Sequence, residues 1–359
     1  MRVLQISSDR SKRGVLYHGT PAFKRQEAYA RQFGNLDIVG FSLKNDGAGT
    51  IEAGALRIYP TGSSSRILYG WDAFRIARKL PKPDIVSVQD PFETGLIGWW
   101  IARRFGAPLH AQVHTDFLSP EYAKLSLVNR FRIFIAGFVL RRASRVRVVS
   151  ERIRLGIETR YTLRTPITVL PIFVDIEHFR WRLPDEMLAT RFQQFSARVL
   201  IVSRLEPEKD VGAAVRVFGE YAPESACLIV IGNGSMRESL EKLSESLHIR
   251  GRIFFEDAED VASYYKLADV VLLTSKYEGY GLAIVEALAA GKPVISTDVG
   301  AARELGAIVA SSFEELGERM VDWFKGGLRK ALLHAYPYKN FEEYVRAYCD
   351  DVAACTHTQ

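Results

Sequence analysis

Residues 269–297 constrain this chain more than any other stretch. The block 269–274, Asp-Val-Val-Leu-Leu-Thr, is apolar and β-branched, the composition of a strand buried in a parallel sheet. A second such block, Pro-Val-Ile-Ser-Thr, occupies 293–297. Between them 282–290 is rich in Leu and Ala, which favours helix, and Gly291 stands where a helix C-terminus takes glycine. The unit is therefore strand, glycine turn, helix, strand. Gly279 and Gly281 lie just before the helix, so the backbone can approach a ligand closely there. The free N–H groups of Gly281, Leu282 and Ala283 would point at an anion with the helix dipole behind them. A phosphate is the expected guest.

Two carboxylates frame this turn. Glu278 stands on the loop, facing the space in front of the helix, and Glu286 lies about one turn inside it. A carboxylate there can accept hydrogen bonds from vicinal hydroxyls. Taken singly, Glu278 also reads as a dipole-favoured residue near a helix start and Glu286 as an exposed helix position. The whole pattern is more specific. Glu, seven residues, Glu, with Gly-Tyr-Gly inside and Ala-Gly-Lys-Pro-Val-Ile after, resembles the nucleotide-sugar signature of retaining glycosyltransferases of the GT-B fold, family GT4. That resemblance implies an α/β protein with two Rossmann-like, doubly wound parallel-sheet domains facing each other across a cleft.

Length and charge fit two domains. At 359 residues the chain exceeds what one core usually serves. Residues 1–180 carry 28 Lys plus Arg against 15 Asp plus Glu, a net of +13, whereas 181–359 sum to −7. The basic half points to an anionic partner: a phospholipid surface, a pyrophosphate-linked acceptor or nucleic acid. The longest apolar runs, 95–102 and 133–140, are far shorter than the roughly 18 to 20 residues a membrane span needs. The N-terminus reads as a first strand and not a signal peptide, and three cysteines without metal-ligand spacing fit a reducing cytosol. A cytoplasmic location follows, with peripheral attachment at the inner membrane face as a further expectation.

The first half alternates strands at 2–6, 36–43, 84–88, 109–113 and 145–149 with helices at 22–33, 68–80 and 94–105, the βαβ rhythm of a parallel sheet. Ligands of such sheets sit beyond the strand C-terminal ends, which directs attention to 7–14, 89–93 and 114–117. His114 follows its strand directly, and Asp116 could equally cap the next helix. His-Thr-Asp-Phe at 114–117 resembles the GT4 loop whose His lies beside the donor sugar. The usual Gly-Gly loop after the first strand is absent; Gly14 is the candidate for close phosphate approach.

Between 122 and 150 there is no acidic residue, while Lys124, Arg130, Arg132, Arg141, Arg142, Arg145 and Arg147 are basic. Leu127, Phe131, Phe134, Ile135 and Phe138 recur at helical spacing. This is either a core-packing helix with a solvated charged face or one that docks on an anionic membrane surface. Nucleic acid is not expected, since no recognised motif accompanies the charge.

The second half restarts with a strand at 198–202 and the loop 203–210. Arg204 and Lys209 there suit a diphosphate, the guanidinium as a fork and the ammonium as a point charge, although both could instead answer Glu206, Glu208 and Asp210. The loop resembles the GT4 pattern of Arg-Leu followed by Pro-Glu-Lys, with Asp210 where the family usually has glycine. The resemblance divides the chain into 1–178 for the acceptor, 179–338 for the nucleotide sugar, and a terminal helix at 339–359 crossing back to the first domain.

The implied reaction is metal-independent transfer of a sugar, with retention, from a UDP- or GDP-linked donor to an acceptor hydroxyl on a lipid-linked or membrane-associated glycan or glycolipid. No Asp-X-Asp and no His/Cys cluster occurs, so the leaving diphosphate is left to Arg204, Lys209 and the helix N-terminus formed by Gly281, Leu282 and Ala283. Glu278 and His114 would be the catalytic pair, orienting the sugar, with Glu286 on the ribose and Asp116 on the acceptor side. No cofactor is expected. A GT-B-shaped nucleotide-sugar-binding protein without transfer is the alternative; a nucleotide-sugar epimerase or a glycogen-type phosphorylase stands further back.

Overall fold

The computed structural model describes residues 1–11, 14–258, 260–327 and 331–357. It separates into two compact units, residues 1–171 with 338–359, and residues 172–337.

The first unit holds eight strands: β1 (Arg2–Ser7), β2 (Asn35–Gly40), β3 (Ile51–Ala53), β4 (Leu56–Pro60), β5 (Ile85–Val88), β6 (Leu109–Val113), β7 (Arg145–Val148) and β8 (Ile167–Val169). Their order is β3-β4-β2-β1-β5-β6-β7-β8, parallel throughout except for the antiparallel pair β3–β4. That short hairpin carries no alternating pattern long enough to be anticipated. Helices cross between strands in the expected places. The helix Pro21–Phe33 begins at Thr20, whose hydroxyl accepts the Phe23 N–H, and stops at Gly34. It packs beneath the C-terminal helix Phe341–Ala353: the Tyr29 and Tyr344 hydroxyls lie 2.7 Å apart, and the Tyr29 and Tyr348 rings 4.2 Å apart.

The helix Leu127–Leu140 corrects the core-packing reading of its apolar stripe. Leu127, Phe131 and Phe134 are 78%, 63% and 73% exposed, and the residues turned inward are Ile135, Ala136, Val139 and Leu140. The core needs only the last turns of this helix; its first half leaves aromatic surface outside.

The second unit holds β9 (Ala197–Val202), β10 (Ala226–Ile231), β11 (Ile253–Glu256), β12 (Val270–Leu273), β13 (Val294–Thr297) and β14 (Ile308–Ala310), in the order β11-β10-β9-β12-β13-β14 and all parallel. Its core is built from Val199, Ile201, Leu228, Val230 and Leu272 of the strands, with Val215, Phe218 and Met320 of the covering helices. The chain order reverses between β9 and β12, and their pairing sets the loops after both strands side by side. In an open α/β sheet that reversal is where ligands bind. Residues 172–178 belong to this unit: the Val174 N–H donates to the Tyr336 hydroxyl at 2.6 Å, and the helix Ile176–Arg180 packs on Leu282–Ala289.

Candidate functional site

In the second unit the sheet reversal assembles most of the expected residues. The loop after β9 is tied to the loop after β12 by Lys276 N–H to Glu208 O (2.8 Å) and Thr274 Oγ1 to Asp210 O (2.9 Å). These ties bring Lys209 onto Glu278, Nζ to Oε1 2.5 Å, with both side chains largely buried. Ser275 Oγ donates to the same carboxylate oxygen at 2.8 Å. Ser275 was not among the sequence candidates, because a lone Ser in a loop carries no signal until its neighbour in space is known. Arg204 stands apart: its side chain is 68% exposed and pairs with Glu208 at 2.8 Å.

The helix Leu282–Ala289 starts at Gly281, whose φ of +100° is open to glycine and strained for other residues. Among the described residues the N–H groups of Gly281, Leu282 and Ala283 have no hydrogen-bond partner. They therefore form a set of donors at a helix N-terminus, the geometry that binds phosphate. Gly300 supports the turn from below: a Cβ there would meet Tyr280 O at 2.6 Å, and Ala301 N–H donates to that same oxygen.

Glu286 is not the exposed helix position it could have been. It is half-buried and its Oε2 accepts the Tyr265 hydroxyl at 2.9 Å. Burial pushes its pKa up, and the tyrosine bond only partly offsets this. Its other oxygen has no partner among the described residues and is free to accept a hydroxyl.

In the first unit His114 ends a buried polar chain. Arg147, fully buried on β7, donates from Nη1 to Gln112 Oε1 at 2.9 Å. A guanidinium has no acceptor, so the amide of Gln112 can stand only one way round. His114 Nε2 lies 3.3 Å from that same oxygen and must be the protonated nitrogen. Nδ1 is then a lone-pair acceptor; it is buried and has no partner. Burial first, then the charges of Arg147 and Arg25, lowers the His114 pKa to about 3, so the ring is neutral. From the other side of the amide, Gln112 Nε2 donates to Ser87 Oγ and to the Tyr348 hydroxyl. Ser87 in turn meets His110 Nδ1, and His110 Nε2 meets Asp351 of the C-terminal helix at 3.0 Å. Gln112 and Arg147 were missed as site residues because polar residues inside a strand read as solvent-facing until something covers them.

Two further candidates in this unit have neighbours within the chain. Asp116 sits in the turn after β6, with the Leu118 and Ser119 N–H groups against its carboxylate, so its first role is to shape that turn. The close approach at Gly14 is made by Asp9: a Cβ on Gly14 would fall 2.6 Å from the Asp9 carboxylate. The glycine thus leaves room for the Asp9 side chain. Lys12 and Arg13 of that loop lie outside the described residues. Among the described residues no cluster of three His, Cys, Asp or Glu converges as a metal site.

Two parallel-sheet α/β units, with an open helix N-terminus and a lysine–carboxylate pair at the reversal of the second, define the GT-B class. Solved structures share this fold. Sucrose-phosphate synthase from Thermosynechococcus elongatus matches with a TM-score of 0.74 at 17% identity, over 99% of this chain and 94% of that one. HepE from Anabaena in complex with UDP-glucose matches with a TM-score of 0.72 at 18% identity, over 99% and 97%. In sequence, the Glycosyltransferase Family 4 model matches residues 27–178 and the Glycosyl transferases group 1 model residues 189–307. The α-monoglucosyldiacylglycerol synthase of Streptococcus pneumoniae is 28% identical over 228 residues, 59% of this chain and 51% of that protein. A D-inositol 3-phosphate glycosyltransferase of Mycobacteroides abscessus is 30% identical over 272 residues, 67% and 60% respectively. These matches span about half to three fifths of the relatives' length. The chain belongs to the GT-B glycosyltransferases of family GT4.

Proposed function

We propose that this protein transfers a sugar from a nucleoside-diphosphate donor to an acceptor hydroxyl, with retention and without a metal ion. The observation that carries this reading is the Lys209–Glu278 pair beside the unpartnered N–H groups of Gly281, Leu282 and Ala283. A diphosphate would take the helix N-terminus and draw Lys209, joined by the exposed fork of Arg204, which balances charge on the leaving group without a metal ion. Glu278, released from Lys209 in part, would accept hydroxyls of the donor sugar, and the free oxygen of Glu286 a ribose hydroxyl. His114 contributes a neutral acceptor at Nδ1, which suits a sugar hydroxyl. Related proteins named for UDP-glucose complexes and for GDP-mannose dependence support a nucleotide-sugar donor and leave both bases open.

The acceptor is read as a lipid-linked or membrane glycan or glycolipid, in line with the diacylglycerol-linked product in the name of the pneumococcal relative. Surface chemistry points the same way. Trp71 stacks with Trp100 at 6.3 Å, Trp99 meets Phe138 at 4.9 Å, and Phe131 and Phe134 are exposed on the same acid-free helix as Phe138. Aromatic and basic residues together suit an anionic membrane surface. No helix among the described residues is long and apolar enough to cross a membrane.

The test is thermal stabilisation by UDP, GDP and ADP, alone and as sugar conjugates, for wild type, Arg204→Ala and Lys209→Ala. At about 100 times its dissociation constant the right nucleotide adds roughly 2.7 kcal/mol. One base should stabilise the wild type and lose that effect in both variants. The Asp9 carboxylate at Gly14 favours the alternative of a nucleotide-sugar-binding protein without transfer, which would bind a donor yet turn over with no acceptor.

A further inference from the structure

Arginines gather around the helix Leu127–Leu140. A cavity of about 590 Å³ there is lined by Arg130, Arg141, Arg142 and Arg160, and among the described residues no carboxylate lines it. Among the described residues no acid holds these guanidinium groups. Arg141 donates to Gly137 O at 2.9 Å and lies 5.0 Å over the Tyr161 ring; Arg142 donates to Phe138 O at 3.0 Å and lies 3.6 Å over the Phe138 ring. Arg130 donates to Ala123 O at 3.3 Å. Each such contact uses one or two of the five N–H groups of a guanidinium and leaves the others as donors for a ligand.

Among the described residues the acids of the neighbouring helices are engaged elsewhere, Glu121 with Lys124 and Glu93 with Arg132. The helix Leu127–Leu140 has no acidic residue, and both acids of the helix Glu151–Arg160, Glu151 and Glu158, are bound to Arg154. The cavity is also built into the backbone. A Cβ at Gly137 would come within 2.8 Å of the Tyr161 ring, so glycine lets the tyrosine lie against the helix, its hydroxyl on Ile133 O at 3.1 Å. Four guanidinium groups gathered without an anion repel one another, and a phosphate, with its several acceptor oxygens, matches their forks.

We propose that this pocket binds a phosphate group, and that at a membrane the group is the headgroup phosphate of an anionic lipid. Phe134 both lines the cavity and belongs to the exposed ridge with Leu127 and Phe131, so apolar surface adjoins the charge as an amphiphile requires. Only the source of the phosphate rests on the membrane reading above; the pocket's affinity for phosphate does not.

The experiment is calorimetric titration at constant ionic strength with two probes, inorganic phosphate and dihexanoylphosphatidylglycerol below its micelle concentration. Proteins compared are wild type, Arg141→Gln with Arg142→Gln, Arg130→Gln with Arg160→Gln, and a charge control, Arg66→Gln with Arg75→Gln. Both pocket variants should weaken binding of at least one probe tenfold or more, and the control less than twofold. The second pocket pair keeps the test decisive if the first fails to fold. Binding of the lipid probe above inorganic phosphate assigns a headgroup, and equal or preferential binding of inorganic phosphate assigns a soluble source; each supports the pocket. No binding of either probe, or equal loss in the charge control, overturns it. Vesicle sedimentation of the same proteins reports the membrane reading separately, since the soluble probes need no bilayer.

Discussion

At the scale of single residues, His114 owes its properties to two side chains it does not resemble. Arg147 orients Gln112, and Gln112 sets the tautomer of His114, leaving Nδ1 as an acceptor. Because the folded pKa of about 3 lies below the usual histidine value near 6.5, the unfolded chain binds the proton first as pH falls. Stability from this group is complete above pH 6.5 and is lost towards pH 3, at about 1.4 kcal/mol for each pH unit. His110, also lowered by burial, acts in the same direction. Denaturant titrations between pH 6.5 and 5 should show this slope in wild type and a shallower one in His114→Gln. Glu286 has the opposite sign. Its raised pKa means the ionised form is disfavoured in the fold, so its cost is present at neutral pH and relieved in acid. Glu286→Gln should therefore raise the melting temperature of the free protein at pH 7 and weaken nucleotide-sugar binding about tenfold, the worth of one charged hydrogen bond; melting curves with and without donor separate the two effects.

At the scale of elements, the glycine turn was readable because strand, turn and helix are contiguous in the chain. Gly281 combines a φ of +100° with an Ile284 Cδ1 only 2.9 Å from where a Cβ would stand. Gly281→Ala should cost about 1–3 kcal/mol in denaturant unfolding and tilt the helix N-terminus away from its anion. The loop after β9 shows a smaller strain. Asp210 has φ 45°, the left-handed region, where Asp is tolerated better than a branched residue. Asp210→Val should lose about 1–2 kcal/mol more than Asp210→Gly, because a β-branched side chain meets the carbonyl that aspartate can avoid.

For the whole molecule, the charge asymmetry read from composition acquires a place. The acid-free stretch forms a helix whose exposed Leu127, Phe131 and Phe134 make no use of the core. Phe131→Ser with Phe134→Ser should leave unfolding free energy within about 0.5 kcal/mol, as surface changes do. Co-sedimentation with anionic vesicles should fall tenfold or more in that variant, and neutral vesicles should retain little of either protein. Equal sedimentation of variant and wild type would remove the aromatic face from the account.

The sequence alone determined what depends on neighbours along the chain: the two parallel-sheet halves, the glycine turn at 279–283, the paired glutamates and the basic helix. Helix caps, β-branched blocks and glycine turns are local, and local physics reads them. Tertiary structure decided which groups meet. The adjacency of β9 and β12 placed Lys209 on Glu278, and the return of the C-terminal helix buried His110, Gln112 and Arg147. It also set Asp9 against Gly14 and turned the aromatic stripe of Leu127–Leu140 outward. These outcomes rest on pairings between residues tens to hundreds of positions apart, and on which face of an element another element covers. No spacing in the chain encodes either one.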